Sequence, residues 1–323
     1  MAKFVAVAVR PEKKSISETL KEFLQLMKKD FKRNKYAYLM VAPVVAFYLI
    51  FHYWPMYGAQ IAFRNFSPML GITGSPWVGL EHIISFVESH YFWRLIRNGL
   101  LLNIYELIFG FPAPIILALL INELRNKTFK RFGQTIVYLP HFISLVVVVG
   151  LLRDFVSLDG IVNDFLYLLG MERIVILQRP ELFRTVFISS LVWQSMGWGS
   201  IIFLAALSGI DPQLYEAATI DGCGRFKKMW YITLPGIMPT IVILLILRMG
   251  SMFDVGFERI ILLYNPLTFE TADVIGSFVF RRGILEFNWS YSAAVGLFNS
   301  GINFALILMA NWLSRRVNET SLW

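Results

Sequence analysis

Long apolar runs alternate with shorter polar ones through most of this 323-residue chain. A helix needs about 20 largely apolar residues to cross a bilayer. Six runs reach that length, at 36–57, 99–121, 132–152, 182–207, 236–263 and 291–313. The pattern predicts an all-α integral membrane protein with six transmembrane helices. Pro43, Pro112, Pro114, Pro140 and Pro239 interrupt four of the runs. Membrane helices tolerate such breaks where a neighbouring helix or a cavity satisfies the freed carbonyls.

Composition agrees with this reading. The chain is 56% hydrophobic and only 16% charged, where a soluble domain carries about 25% charged residues. Residues 1–35 hold ten Lys and Arg. That stretch is too long and too polar to be a cleaved signal peptide, and it reads as a retained basic cytoplasmic tail. Within it, Leu20, Phe23, Leu24, Met27 and Phe31 recur at helical spacing opposite a lysine-rich face. This predicts an amphipathic helix over 17–31 that can lie on the inner leaflet. The membrane domain is then 36–313, and 314–323 is a cytoplasmic C-terminal tail.

Basic residues set the orientation. With the N-terminus inside, all lysines fall in the tail and in the inner segments around Lys127, Lys130, Lys227 and Lys228, while the outer segments contain arginines only. Both termini are therefore expected in the cytoplasm. The three outer segments, 58–98, 153–181 and 264–290, are longer than turns. They either meet an extracytoplasmic partner or simply cap helix ends.

Several chemistries find no support. Cys223 is the sole cysteine and the four histidines lie far apart, so no metal site is expected. No phosphate-binding Gly-x-x-x-x-Gly-Lys-Ser/Thr loop occurs, so the chain by itself is not expected to hydrolyse ATP. No Gly-x-Ser-x-Gly or His-Glu-x-x-His pattern suggests hydrolase activity. The basic residues lie where membrane orientation requires them and give no sign of nucleic-acid binding.

The polar stretch 209–231 differs from an ordinary loop. Gly209 can end the preceding helix. Asp211 can cap a new one with Pro212 in its first position. A short helix through Tyr215, Glu216, Ala217 and Ala218 would end at Asp221 and Gly222, with the two small alanines offered to a cleft of another protein. A basic inter-helix loop is the plainer alternative. The spacing of Glu216-Ala217-Ala218, Gly222 and then Ile232-Thr233-Leu234-Pro235 resembles the EAA loop of permease subunits of type I binding-protein-dependent ABC importers. The stretches at 111–114, 255–258 and 264–266 resemble the carbohydrate-uptake branch, in particular permeases for oligosaccharides such as alginate fragments.

That resemblance implies the type I permease fold, with 215–222 as a coupling helix docking on an ATPase. It implies a second homologous permease, two cytoplasmic ATPase subunits that bind ATP and Mg, and an extracytoplasmic solute-binding protein. No cofactor is expected on this chain, which would sit in the bacterial inner membrane. Charged residues within spans are functional suspects; here they are Glu106, Arg248, Asp254, Glu258 and Arg259, the last two expected near the outer interface. Arg248 can line a water-filled path or pair with a carboxylate on another helix. The span before the coupling loop carries Gln194, Ser195 and Trp198 among Gly197 and Gly199. Aromatic rings and amides suit sugar recognition, whereas the glycines equally suit close helix packing. By resemblance to the maltose-importing members, Ser195, Trp198, Ser251, Met252 and Val255 match pocket positions, the last two less polar than there. The candidate substrate set is Gln194, Ser195, Trp198, Ser251, Met252, Asp254, Ser144 and Arg248. The expected function is carbohydrate import by alternating access. A permease for a non-sugar solute and a membrane-embedded transferase are the rivals.

Overall fold

The structure, a computed structural model, describes residues 29–250 and 256–318. The amphipathic helix expected over 17–31 lies outside them except for its last three positions, and so do Ser251, Met252, Asp254 and Val255. Among the described residues, five continuous helices are long and apolar enough to cross a membrane, and a bent pair makes a sixth crossing if it is one span.

The chain divides into two compact units at Ala59–Gln60. The first contains most of α1, Lys35–Phe63. No residue of its Lys35–Tyr48 portion is buried, as expected of apolar side chains selected to face lipid. At its start, the Asp30 carboxylate accepts hydrogen bonds from Asn34 and Tyr38, both at 2.7 Å.

The second unit holds the remaining elements. These are α2 (Glu81–Glu88), α3 (Tyr91–Asn122), α4 (Lys127–Phe142), α5 (Leu145–Phe155), α6 (Ile161–Leu168), α7 (Pro180–Ser208), α8 (Pro212–Ile220), α9 (Arg225–Met249), α10 (Phe257–Leu263), α11 (Ile275–Phe280) and α12 (Trp289–Asn318). Helix α7 is central and packs on α3, α4, α9 and α10. One core joins Leu102, Val149, Phe183, Phe187, Ile260 and Leu263 from α3, α5, α7 and α10. A second sits nearer the far ends of α3 and α7, where Ile115, Ala118, Phe203 and Leu207 meet Ile237 of α9.

Proline shapes three of the spanning helices in the same way. A five-residue π turn at Leu49–Tyr53, Glu106–Gly110 or Met229–Thr233 ends two residues before Pro55, Pro112 or Pro235. Proline has no N–H and its ring crowds the preceding turn. Widening that turn to i→i+5 bonding, as from the Phe111 N–H to the Glu106 carbonyl at 2.9 Å, lets each helix continue past its proline.

Three spans depart from the expected limits. Helix α3 starts at Tyr91 rather than 99, because Arg94 and Arg97, which depress its hydropathy, find Asp273 and Glu270 as ion partners. The third span breaks by 101° between α4 and α5, with Pro140 in the short 3₁₀ turn Leu139–Phe142 before the break. The fifth span is two helices rather than one over 236–263, since α10 starts afresh after Gly256.

Candidate functional site

Helix α8 is closed at both ends by its own sequence. The Asp211 side chain accepts from the Gln213 N–H at 2.9 Å, and Pro212 occupies the first helical position. At the other end Gly222 adopts φ 73°, a conformation glycine adopts without steric cost. The Gly222 N–H then reaches the Thr219 carbonyl at 3.1 Å and the Cys223 N–H reaches that of Ala218 at 2.8 Å. This is a Schellman stop.

Side chains then tie α8 to the start of α9. The Tyr215 hydroxyl and the Thr233 hydroxyl lie 3.0 Å apart, and Lys228 Nζ donates to the Thr219 hydroxyl at 2.6 Å. Ala218 is buried, whereas Glu216 and Ala217 are exposed. The two alanines therefore do not offer one joint surface: Ala218 packs within the chain, and the outward face is formed by Leu214, Glu216, Ala217 and Ile220. Ile220 is 87% exposed and Leu214 is exposed beside it, so the outward face of α8 has an apolar component open to a protein contact.

The second group of candidates meets along α7. Gly197 touches α4 so closely that a Cβ there would lie 1.8 Å from the Val137 carbonyl oxygen. A Cβ at Gly199 would lie 3.0 Å from Pro114 of α3. Close packing is thus what these glycines do. It brings Gln194 to the α4–α5 break, where its amide donates to the freed Ile143 carbonyl at 3.1 Å. Ser144, the neighbour of Ile143, caps α5 by accepting from the Val147 N–H at 3.5 Å. Trp198 stacks on His141 with ring centroids 4.6 Å apart and planes within 3°, and meets Phe142 edge-on.

Gln194 is held from its other side by Arg259 of α10. That guanidinium donates to Gln194 Oε1 and, at 3.1 Å, to the Ser190 hydroxyl. Arg259 is only 8% exposed, so it sits inside the bundle and not at an interface. Its sequence neighbours are a carboxylate and apolar residues, and nothing in their spacing signals this burial. Arg248 of α9 forms an ion pair with Glu106 on the π turn of α3. Both line a cavity of about 360 Å³ with Ser195, Gly199, Leu191 and Pro114. Ser195 itself bonds the Leu191 carbonyl at 2.7 Å. The structure thus places Gln194, Ser144 and Trp198 together at the break, and Ser195 with Arg248 in the adjacent cavity. Among the described residues no cluster of His, Cys, Asp or Glu is arranged to hold a metal ion.

Residues 110–319 match the family of binding-protein-dependent transport system inner membrane components. Protein LplB of Bacillus subtilis is 44% identical over 90% of this chain and 92% of its own. The polygalacturonan/rhamnogalacturonan transport system permease protein YteP of the same organism is 43% identical over 90% of this chain and 91% of its own. A solved bacterial ABC transporter involved in import of the acidic polysaccharide alginate superposes with a TM-score of 0.84 at 44% identity, covering 90% of this chain and 99% of its counterpart. This chain belongs to the family of inner-membrane permease components of binding-protein-dependent ABC transport systems.

Proposed function

We propose that this chain is one of two permease subunits of an ATP-driven importer for oligosaccharides, acidic ones among them. The observation that carries the reading is α8: a short helix fixed at both ends, tied to α9, and presenting Glu216, Ala217 and Ile220 outward. Such a helix can transmit a push along α9 and α7 only if it is rigid, and its caps make it so. The partners are a second homologous permease, two cytoplasmic ATPases that bind ATP and Mg, and a solute-binding protein outside. The lysine distribution supports an orientation with α8 and both termini in the cytoplasm, and with 1–35 as a basic tail at the inner leaflet.

Transport proceeds by alternating access. Closure of the ATPases moves α8, and the spans rock to expose the intramembrane site on alternate sides. The sugar class is supported by the relatives, one named for polygalacturonan and rhamnogalacturonan and another solved as an alginate importer. It is also supported by the intramembrane cavity, where the Ser195 hydroxyl and the Arg248–Glu106 pair line one apolar-walled space. The chain's role is transport, with no bond made or broken on it.

The test is ATP-dependent uptake by proteoliposomes holding the whole complex with its binding protein. Uptake of labelled trigalacturonate that amino acids do not compete away is the expected result. Uptake of amino acids and no saccharide would replace the sugar reading with that of a permease for another solute.

A further inference from the structure

A cavity of about 760 Å³ lies between α3 and α7 and is separate from the one containing Ser195 and Arg248. Glu181, Arg184, Thr185 and Ser189 line it from α7 and Tyr105 from α3, with Trp193 at its deep end. The four polar α7 positions follow helical spacing, so they form one stripe. It starts at the α7 end remote from α8 and ends at Ser189, five residues before Gln194. Arg184 lies one turn from the start of α7, where an arginine reaches the aqueous interface. A hydrated path suits it.

Arg184 differs from the arginines around it. Arg94 and Arg281 pair with Asp273, and Arg97 pairs with Glu270. Among the described residues Arg184 has no carboxylate in ion-pair contact: it donates to the neutral side-chain oxygen of Asn98 at 3.1 Å and faces the Tyr105 hydroxyl, and its buried Nε, like that of Arg94, has no hydrogen-bond partner. Among the described residues it forms no ion pair with Glu181, three positions away on the same helix. The cleft therefore holds a guanidinium with donor capacity left over, hydroxyls on Thr185 and Ser189, and the exposed ring of Trp193.

We propose that this cleft is an outer subsite for a uronate residue of the incoming saccharide. Arg184 reads the sugar carboxylate, Thr185, Ser189 and Glu181 bond ring hydroxyls, and Trp193 stacks on the ring face. Discrimination between acidic and neutral saccharides is thereby placed before the site at the α4–α5 break. The proposal rests on the reading of the chain as a saccharide permease.

The test compares uptake of trigalacturonate with that of its fully methyl-esterified form by proteoliposomes holding the whole complex. The two probes differ in charge far more than in shape. Arg184→Gln should lower the acid-to-ester uptake ratio about ten- to hundredfold, the effect of losing one charge-assisted hydrogen bond. Arg184→Lys should restore part of it. Thr185→Glu, at an exposed position that folding does not depend on, should lower the same ratio by repulsion. An unchanged ratio in Arg184→Gln and Thr185→Glu overturns the subsite and leaves saccharide import standing. Loss of the second permease from the purified complex in both variants, with no uptake of either probe, overturns the subsite and makes the cleft a subunit contact instead. Wild-type complex that takes up neither probe overturns the subsite together with the saccharide reading.

Discussion

Helix α8 and the middle of α7 are both candidate functional regions, yet they are held by opposite means. The hydrogen bonds that shape α8 join residues no more than 18 apart in sequence. Those around Gln194 reach 51 residues to Ile143, and Arg259 spans 65 to Gln194 and 69 to Ser190. The first region is built locally and left open on one face. The second exists only once four helices have assembled. A docking part must keep its shape while its partner comes and goes. A site within the bundle takes its shape from the packing of the spans, and it can change when they move.

Substitutions should separate the two regions by where the damage appears. The largest effect on folding is expected for Gly197→Val. Its side chain has no room against the Val137 carbonyl, and overpacking against backbone costs at least 1–3 kcal/mol. Little monodisperse protein should survive detergent extraction and size-exclusion chromatography. Normal yield would mean that α4 and α7 separate more easily than their contact suggests.

Next comes the ion pair. Glu106→Gln removes the carboxylate that Arg248 meets in the bundle; the pair is half-buried, so breaking it costs less than a fully buried one, about 2–3 kcal/mol. Thermal unfolding in detergent should shift down accordingly. The double variant with Arg248→Met should recover most of the loss, because it removes the stranded charge as well. A double variant less stable than the single one would contradict this account.

Arg259→Ala should cost somewhat less, about 2 kcal/mol, by leaving Gln194 Oε1 and the Ser190 hydroxyl without their donor. If Gln194 then lets go of Ile143, hydrogen exchange should rise at the start of α5 while α8 keeps its protection. Uniform exchange across both regions would dissolve the contrast between them.

In the local region effects on stability should be small. Asp211→Ala removes one cap, worth about 1 kcal/mol. Glu216→Lys is an exposed change and should leave melting within about 0.5 kcal/mol of the parent. It should nevertheless abolish uptake and uncouple ATP hydrolysis from the binding protein. A Glu216→Lys complex that transports at the parent rate would remove α8 from the coupling role.

The same contrast explains what was legible in sequence. The six apolar runs, the Asp211 cap, Pro212 and the Gly222 stop are all local signals, and the structure reproduces the helix they predict. The outward face of α8 was only half legible. Ala217 and Ala218 are adjacent in sequence but about 100° apart around a helix, so one faces out and the other in. Arg94 and Arg97 hid the start of α3, because hydropathy cannot see the carboxylates at 270 and 273 that neutralise them. Pro140 marked a disturbance in the third span but not its 101° size. The placement of Arg259 against Gln194 depends on a tertiary approach that spacing along one helix does not encode.

The contact between Gly197 and Val137 has a mechanical consequence. It is a backbone-to-backbone touch, so the two helices can tilt about it more easily than they can slide past it. From Gly197 to the end of α7 at Ser208 is eleven residues, about 16 Å, and back to Pro180 is seventeen, about 26 Å. Helix α7 is then a lever whose fulcrum lies off centre. A displacement of about 2 Å delivered at the α8 end becomes about 3 Å, in the opposite direction, at the end carrying Glu181 and Arg184. A short stroke at one membrane face is thereby reversed and enlarged at the other, with no hinge required within the helix itself.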